Sequence, residues 1–236
     1  MQEFTISQRR EAIEEIEEEL DRKFEKVRTC LAHCSELVSD VEHTLSRARI
    51  VPREEYIAAI HHFKASVEII NNRLRYRKAG ILSARSETDL GEQVWNQSQQ
   101  KIAPQWLGES ATASDLIFFH NEKRIMVQDK ATSGIKYQVS NKDIKKILHD
   151  ALLQGYCPAL SISFEDNGTF THYLVPIEEV MSLMKKESFT FSEKKLKTGT
   201  IRRLTIQEFI TEMLSCDFPY MRFNRTQLET WLKRLE

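Results

Sequence analysis

Ser114-Asp115-Leu116-Ile117-Phe118-Phe119-His120-Asn121-Glu122-Lys123-Arg124-Ile125-Met126-Val127-Gln128-Asp129-Lys130 is the stretch that decides how this chain is read. Two apolar runs flank a short polar turn, the pattern of a β-hairpin. An acid opens the first run, and a Gln and a Lys two residues apart close the second. Strand side chains alternate faces, so Gln128 and Lys130 point one way while Val127 and Asp129 point the other. A bent hairpin brings Asp115 alongside the Gln/Lys pair. Such a cluster can hold a divalent cation and set an ammonium beside an attacking water. A bulge in the second strand would reverse the alternation and offer Asp129 instead.

Upstream, Gly80 and the polar run Ser83-Ala84-Arg85-Ser86-Glu87-Thr88 mark a domain boundary. Thr88 then caps a helix carrying Leu90, Val94, Trp95 and Ile102, with Glu92 near its start. Pro104 to Ser114 reads as a loop. Downstream of Lys130 come a turn at 131–134, a strand from Ile135 to Val139, and a helix from Asn141 that Gly155 ends. Ala159–Phe164 and Phe170–Val175 are strands joined through Asp166-Asn167-Gly168, where Asn-Gly is a strong hairpin signal. A helix begins after Pro176, and two short helices lie near 205–214 and 226–235. The order is α/β, a mixed sheet with helices on both faces.

Residues 7–49 contain no Gly or Pro, and their apolar positions alternate in steps of three and four from Ile13 to Ala48, a coiled-coil seam. Pro52 opens a second amphipathic helix, so an antiparallel hairpin is expected, folding back near Val51. If that helix stops near Gly80, the seam from Ile13 to Phe24 lacks a partner, which a second copy of the protein, as a homodimer, or the α/β domain could supply. Cys30, His33 and Cys34 with His61 and His62 suggest zinc, but the fold-back sets His61 about two turns from Cys34. Cys34 is read instead as a small hydrophobe on the seam. The expected domains are a helical hairpin over 1–80, an α/β core over 81–187, and a basic segment with a helical cap over 188–236.

The 236 residues carry 41% hydrophobic side chains and a formal net charge of -1. No run approaches the roughly 20 apolar residues of a membrane span, the start of the chain lacks a signal-peptide pattern, and the cysteines form no framework, so a cytoplasmic protein is expected. Near-neutral charge excludes a globally basic nucleic-acid binder. Cations nevertheless gather at Lys136, Lys142, Lys145, Lys146, Lys194, Lys195, Lys197, Arg202 and Arg203, a local patch suited to a phosphate backbone.

An acid before a strand that ends in Gln-x-Lys resembles the PD-(D/E)XK nuclease superfamily, and most closely its Mrr-type restriction endonucleases. The matching residues are Asp115, Gln128 and Lys130, with Glu92 on the preceding helix. The resemblance implies a restriction-endonuclease-like fold over about residues 85–180. It implies magnesium (or manganese) held by Asp115, Gln128 and Glu92, and Lys130 beside the attacking water. It also implies DNA as substrate, in restriction, phage defence or repair. The rival expectation is a catalytically inactive nuclease-like coiled-coil scaffold or nucleic-acid-binding protein.

Overall fold

Strand pairing begins earlier than the hairpin. In the computed structural model, which describes residues 5–48, 54–107, 115–184, 187–215 and 224–235, β1 (Ala103–Leu107) pairs antiparallel with β2 (Asp115–His120). The side chains of Leu107 and Asp115 fall outside that description, as do Ser114, Val51, Pro52 and Asp217-Phe218-Pro219-Tyr220. The segment from Pro104 expected as loop is therefore partly strand. Its Pro104 is compatible with β1 because β1 is an edge strand.

β2 pairs antiparallel with β3 (Lys123–Thr132), Leu116 facing Val127. β3 runs parallel to β5 (Cys157–Asp166), which pairs antiparallel with β6 (Thr169–Pro176). The mixed sheet has the order β1-β2-β3-β5-β6. The β5–β6 turn uses positive φ at Asn167 (51°) and Gly168 (81°), as Asn-Gly permits. β4 (Lys136–Ser140) leaves this sheet and forms a two-stranded ribbon with β7 (Ser188–Ser192).

Each sheet face buries its own apolar cluster. Ile117, Met126, Leu160, Ile162 and Val175 meet Ile144, Ile147 and Leu148 of α3 (Asn141–Gln154), Val180 of α4 (Ile177–Leu183), Leu196 of α5 (Glu193–Lys197) and Leu228 of α7 (Arg225–Leu235). Leu116, Phe118, Val127, Ala159 and Leu174 form the other cluster, with Phe209 and Met213 of α6 (Ile206–Leu214). Leu90 and Val94 join that second cluster from the end of α2 (Glu54–Gln97). This is the expected α/β class, a mixed sheet flanked by helices and preceded in the chain by a helical hairpin.

The hairpin pairs α1 (Ile6–Arg47) with α2 in antiparallel sense, Lys64 bonding Glu42 at 3.0 Å and Lys78 bonding Asp21 at 2.9 Å. By contact, residues Glu11–Ile81 form one compact unit, and Met1–Arg10 with Leu82–Glu236 form the other. The expected helix break at Gly80 and restart at Thr88 do not occur: α2 runs unbroken through both. An interior glycine costs a helix only about 1 kcal/mol. The polar run taken for a linker is interior, with Ser86, Glu87 and Thr88 all buried. Thr88 Oγ1 donates to Ala84 O (2.8 Å) and caps nothing.

That continuation also answers the unmatched seam. Arg9 Nε donates to Thr88 Oγ1 (3.0 Å), Arg9 pairs with Glu87 (3.2 Å), and Arg10 pairs with Glu92. The Lys78–Asp21 pair lies within that seam, whose Ile13 and Phe24 are buried. Cys34, expected on the seam, is exposed.

Candidate active site

The far end of β3 and the start of α3 together build a small polar site. Met126, Gln128 and Lys130 share one sheet face, because Met126 pairs with Ile117 and joins its cluster. Asp129 points through the sheet. Gln128 is 6% exposed, and its Oε1 is buried with no hydrogen-bond partner among the described residues. Two residues on, Lys130 Nζ reaches Asp143 Oδ1 at 2.9 Å, both side chains being mostly buried.

Asp143 belongs to the capping box of α3. Ser140 Oγ donates to its Oδ2 (2.7 Å) and accepts from its N–H (3.3 Å), and the Ser140 N–H donates to the same carboxylate (3.0 Å). Burial pushes the Asp143 carboxyl up, but the bonds from Lys130 and Ser140 outweigh it and hold the acid below its ordinary range. Tyr137 on β4 feels the same charge: burial, then Asp143 and Asp129, push its phenol up. Asn141, two residues before Asp143, has a buried Oδ1 without a partner among the described residues.

The residues expected from sequence divide. Gln128 and Lys130 come together. Asp115 opens β2 one residue before Leu116, whose partner Val127 precedes Gln128, but the Asp115 side chain lies outside the described residues. Glu92 does not join them. It stands on α2, whose Leu90 and Val94 cover the opposite face, and it pairs with Arg10. Helix packing decides this, because the face of the sheet that a helix covers is not written in the helix. Among the described residues no three His, Cys, Asp or Glu side chains come together as a metal site.

A cation at the Gln128 face would therefore rely on amide oxygens beside carboxylates. The buried orphan oxygen of Gln128 and the Asp143 carboxylate are hard donors, which fit magnesium or manganese. They do not fit zinc, which prefers thiolate and imidazole.

Of the basic residues, Lys136, Lys142, Lys146, Lys194, Lys195, Lys197 and Arg202 are exposed, and Lys145 is half-buried. Lys142 adjoins Asp143. Arg203 is the exception: it donates to Leu196 O (3.2 Å) and pairs with Glu208 (3.0 Å), so it braces the fold.

A second polar cluster, absent from the sequence reading, fills the opposite face. Asp129 accepts from Ser86 Oγ of α2 and Ser163 Oγ of β5, each at 2.5 Å. Ser163 Oγ also meets His172 Nδ1 (2.6 Å), and His172 Nε2 meets Asp89 Oδ2 (2.9 Å). Gln93 donates to Asp89 as well (2.7 Å). Burial raises the Asp89 carboxyl, but the bonds from His172 and Gln93, with the charges of His172 and Arg10, bring it below its ordinary range. Ser163, His172 and Asp89 have the residue types of a hydrolytic triad. However, the Ser163 hydroxyl is wholly buried and already bonded to Asp129, so no substrate reaches it. The cluster is structural. Its sequence signal was polar residues, among them Ser161, Ser163 and His172, within strands whose other residues are largely apolar.

No protein-family model matches this chain, and no curated protein matches it. Among solved structures it is similar to Hjc, a Holliday junction resolvase of the archaeal hyperthermophile Archaeoglobus fulgidus, at 14% identity and a TM-score of 0.43. The match covers 55% of this chain and 95% of that one.

Proposed function

We propose that the α/β unit is a metal-dependent phosphodiesterase, a DNA endonuclease using magnesium or manganese, with its site on the Gln128–Lys130 face of β3. The observation that carries the reading is the buried Gln128 Oε1, without a partner among the described residues, on the strand face that also carries Lys130. An unpaired buried oxygen costs about 1–3 kcal/mol, a cost expected to persist where the group serves a ligand. A bound magnesium would supply charge neutralisation at the phosphate and an activated water. Asp115 and Gln128 would hold it.

The chain's own part is electrostatic. Lys130, fixed on a central strand, offers hydrogen bonds to a phosphate oxygen or to the attacking water. Lys142 and Lys146 on α3 and the lysines of α5 would receive the flanking backbone, since exposed cations give sequence-independent affinity. Restriction, phage defence and repair all require such chemistry.

Plasmid cleavage tests the reading, with magnesium, manganese or EDTA present. Cleavage should need the metal, and Lys130→Ala and Asp115→Asn should each lose about 100-fold or more. Lys123 is no control, since its ammonium donates to Met213 O (2.8 Å) and Ser215 O. Exposed Glu122 on the turn serves, as Glu122→Gln. A parent protein inert under every metal would overturn the proposal and leave the nuclease-like scaffold.

A further inference from the structure

We infer that Asp143, at the start of α3, is the second acidic metal ligand of this site and takes the place that the sequence assigned to Glu92. The inference rests on the proposed function and deepens it. Three observations lead there. Gln128 and Lys130 face the same side of β3, and the Lys130 ammonium bonds Asp143 Oδ1 at 2.9 Å, so Asp143 stands on the Gln128 side of the sheet. Among the described residues the buried Gln128 Oε1 there has no partner, and neither does the buried Asn141 Oδ1 two residues before Asp143. Glu92, by contrast, is spent on Arg10 and rides a helix covering the other face.

The chemistry agrees. Magnesium and manganese take oxygen ligands and need one or two carboxylates, with neutral oxygens or waters completing the shell. Asp143 gives a carboxylate and Gln128 gives a neutral oxygen. Lys130 pairs with Asp143 (2.9 Å), and a cation held by Asp143 would leave that ammonium to the phosphate or its water. The positive end of α3 opposes a cation at this position, which is why an acid there, rather than a neutral cap, is required.

The test is manganese binding by the full-length protein, read from the free-ion paramagnetic resonance signal, beside plasmid cleavage. Asp143→Asn should weaken manganese binding tenfold or more and reduce cleavage in step. Glu92→Gln should stay within about twofold of the parent in both. Lys130→Ala removes the competitor for Asp143, so it should bind manganese at least as tightly as the parent while losing cleavage. Ser140→Ala damages the helix cap but leaves the carboxylate, and it should cost binding no more than about threefold. If it costs as much as Asp143→Asn, cap damage explains the effect and the inference falls.

Parental manganese binding by Asp143→Asn, or a loss in Glu92→Gln as large as in Asp143→Asn, also overturns it. In those cases a parent that cleaves with metal leaves the proposed function standing. A parent that neither binds manganese nor cleaves removes both.

Discussion

Replacing Ser163 by Ala tests whether the buried cluster on the α2 side holds the sheet together. The Ser163 hydroxyl is wholly buried and touches Asp129 Oδ1 (2.5 Å), His172 Nδ1 (2.6 Å) and Ser161 Oγ (3.2 Å). Alanine removes one oxygen and leaves a carboxylate oxygen and a ring nitrogen facing a methyl group. Each stranded buried group costs about 1–3 kcal/mol, and more if charged, so the sum is about 2–6 kcal/mol. At about 2–4 °C per kcal/mol for a unit of this size, Tm should fall by about 5–20 °C.

Urea and thermal unfolding followed by circular dichroism measure it, with Ser182→Ala as control, since that hydroxyl is exposed and donates to Glu179 O (2.8 Å) on its own helix. The urea midpoint should drop with an unchanged slope. A loss under about 0.5 kcal/mol, the range of ordinary surface substitutions, would refute the claim that these bonds are satisfied and buried together.

Arg9 is the next target. It is 1% exposed, bonds Glu87 and Thr88, and lies 4.8 Å from the Trp106 ring, while burial brings its guanidinium down to about 10. Arg9→Met leaves Glu87 buried without that cation and should cost about 3–5 kcal/mol in urea unfolding; the Arg9→Met, Glu87→Leu double variant should recover much of it, and failure to do so would show that Arg9 acts through packing alone. Acid should unfold the protein in a defined window. The folded carboxyls of Asp89 and Asp143 lie below the ordinary 3.8, so their contribution is present above that value and is lost as pH falls through the depressed values. Urea midpoints should hold down to about pH 5 and fall below about pH 4, and Asp143→Asn should flatten part of that limb; an unchanged limb would mean Asp143 is not held ionised by the fold.

Much of the α/β unit was legible because its signals are local. Asn167-Gly168 sets its own turn, Gly155 ends the helix begun at Asn141, and alternation along β3 separates Gln128 from Asp129 without help from elsewhere. The failures were contacts between distant segments. Ser86, Glu87 and Thr88 look like a linker because they are polar, yet Asp129 and Arg9, remote in sequence, satisfy Ser86, Glu87 and Thr88 inside a continuous helix. Glu92 had the right spacing before the hairpin and the wrong face. Asp143 was read as a helix start and nothing more, since no spacing rule ties it to a lysine on the preceding long strand.

The two polar faces of β3 explain each other. A one-residue slip of a strand exchanges every side chain between faces, and a polar strand end holds its register weakly. Here the Asp129 carboxylate is clamped from two elements, by Ser86 of α2 and Ser163 of β5, and Ser163 stands on the strand that pairs in parallel with β3. Such a clamp penalises a slip twice, by unpairing a buried acid and by burying Lys130 against α2. The satisfied side of the strand thereby fixes the aim of the unsatisfied side. On this argument Asp129→Asn should loosen the site from behind: Lys130 and Gln128 stay in the chain, but the register that sets them opposite Asp143 is no longer enforced. Amide hydrogen exchange along β3 and β5 would report it, with faster exchange expected from Val127 to Ala131 and in the facing residues Ala159 to Ser163. Exchange unchanged in both strands would show that pairing and packing alone hold the register, and that the serine clamp is dispensable.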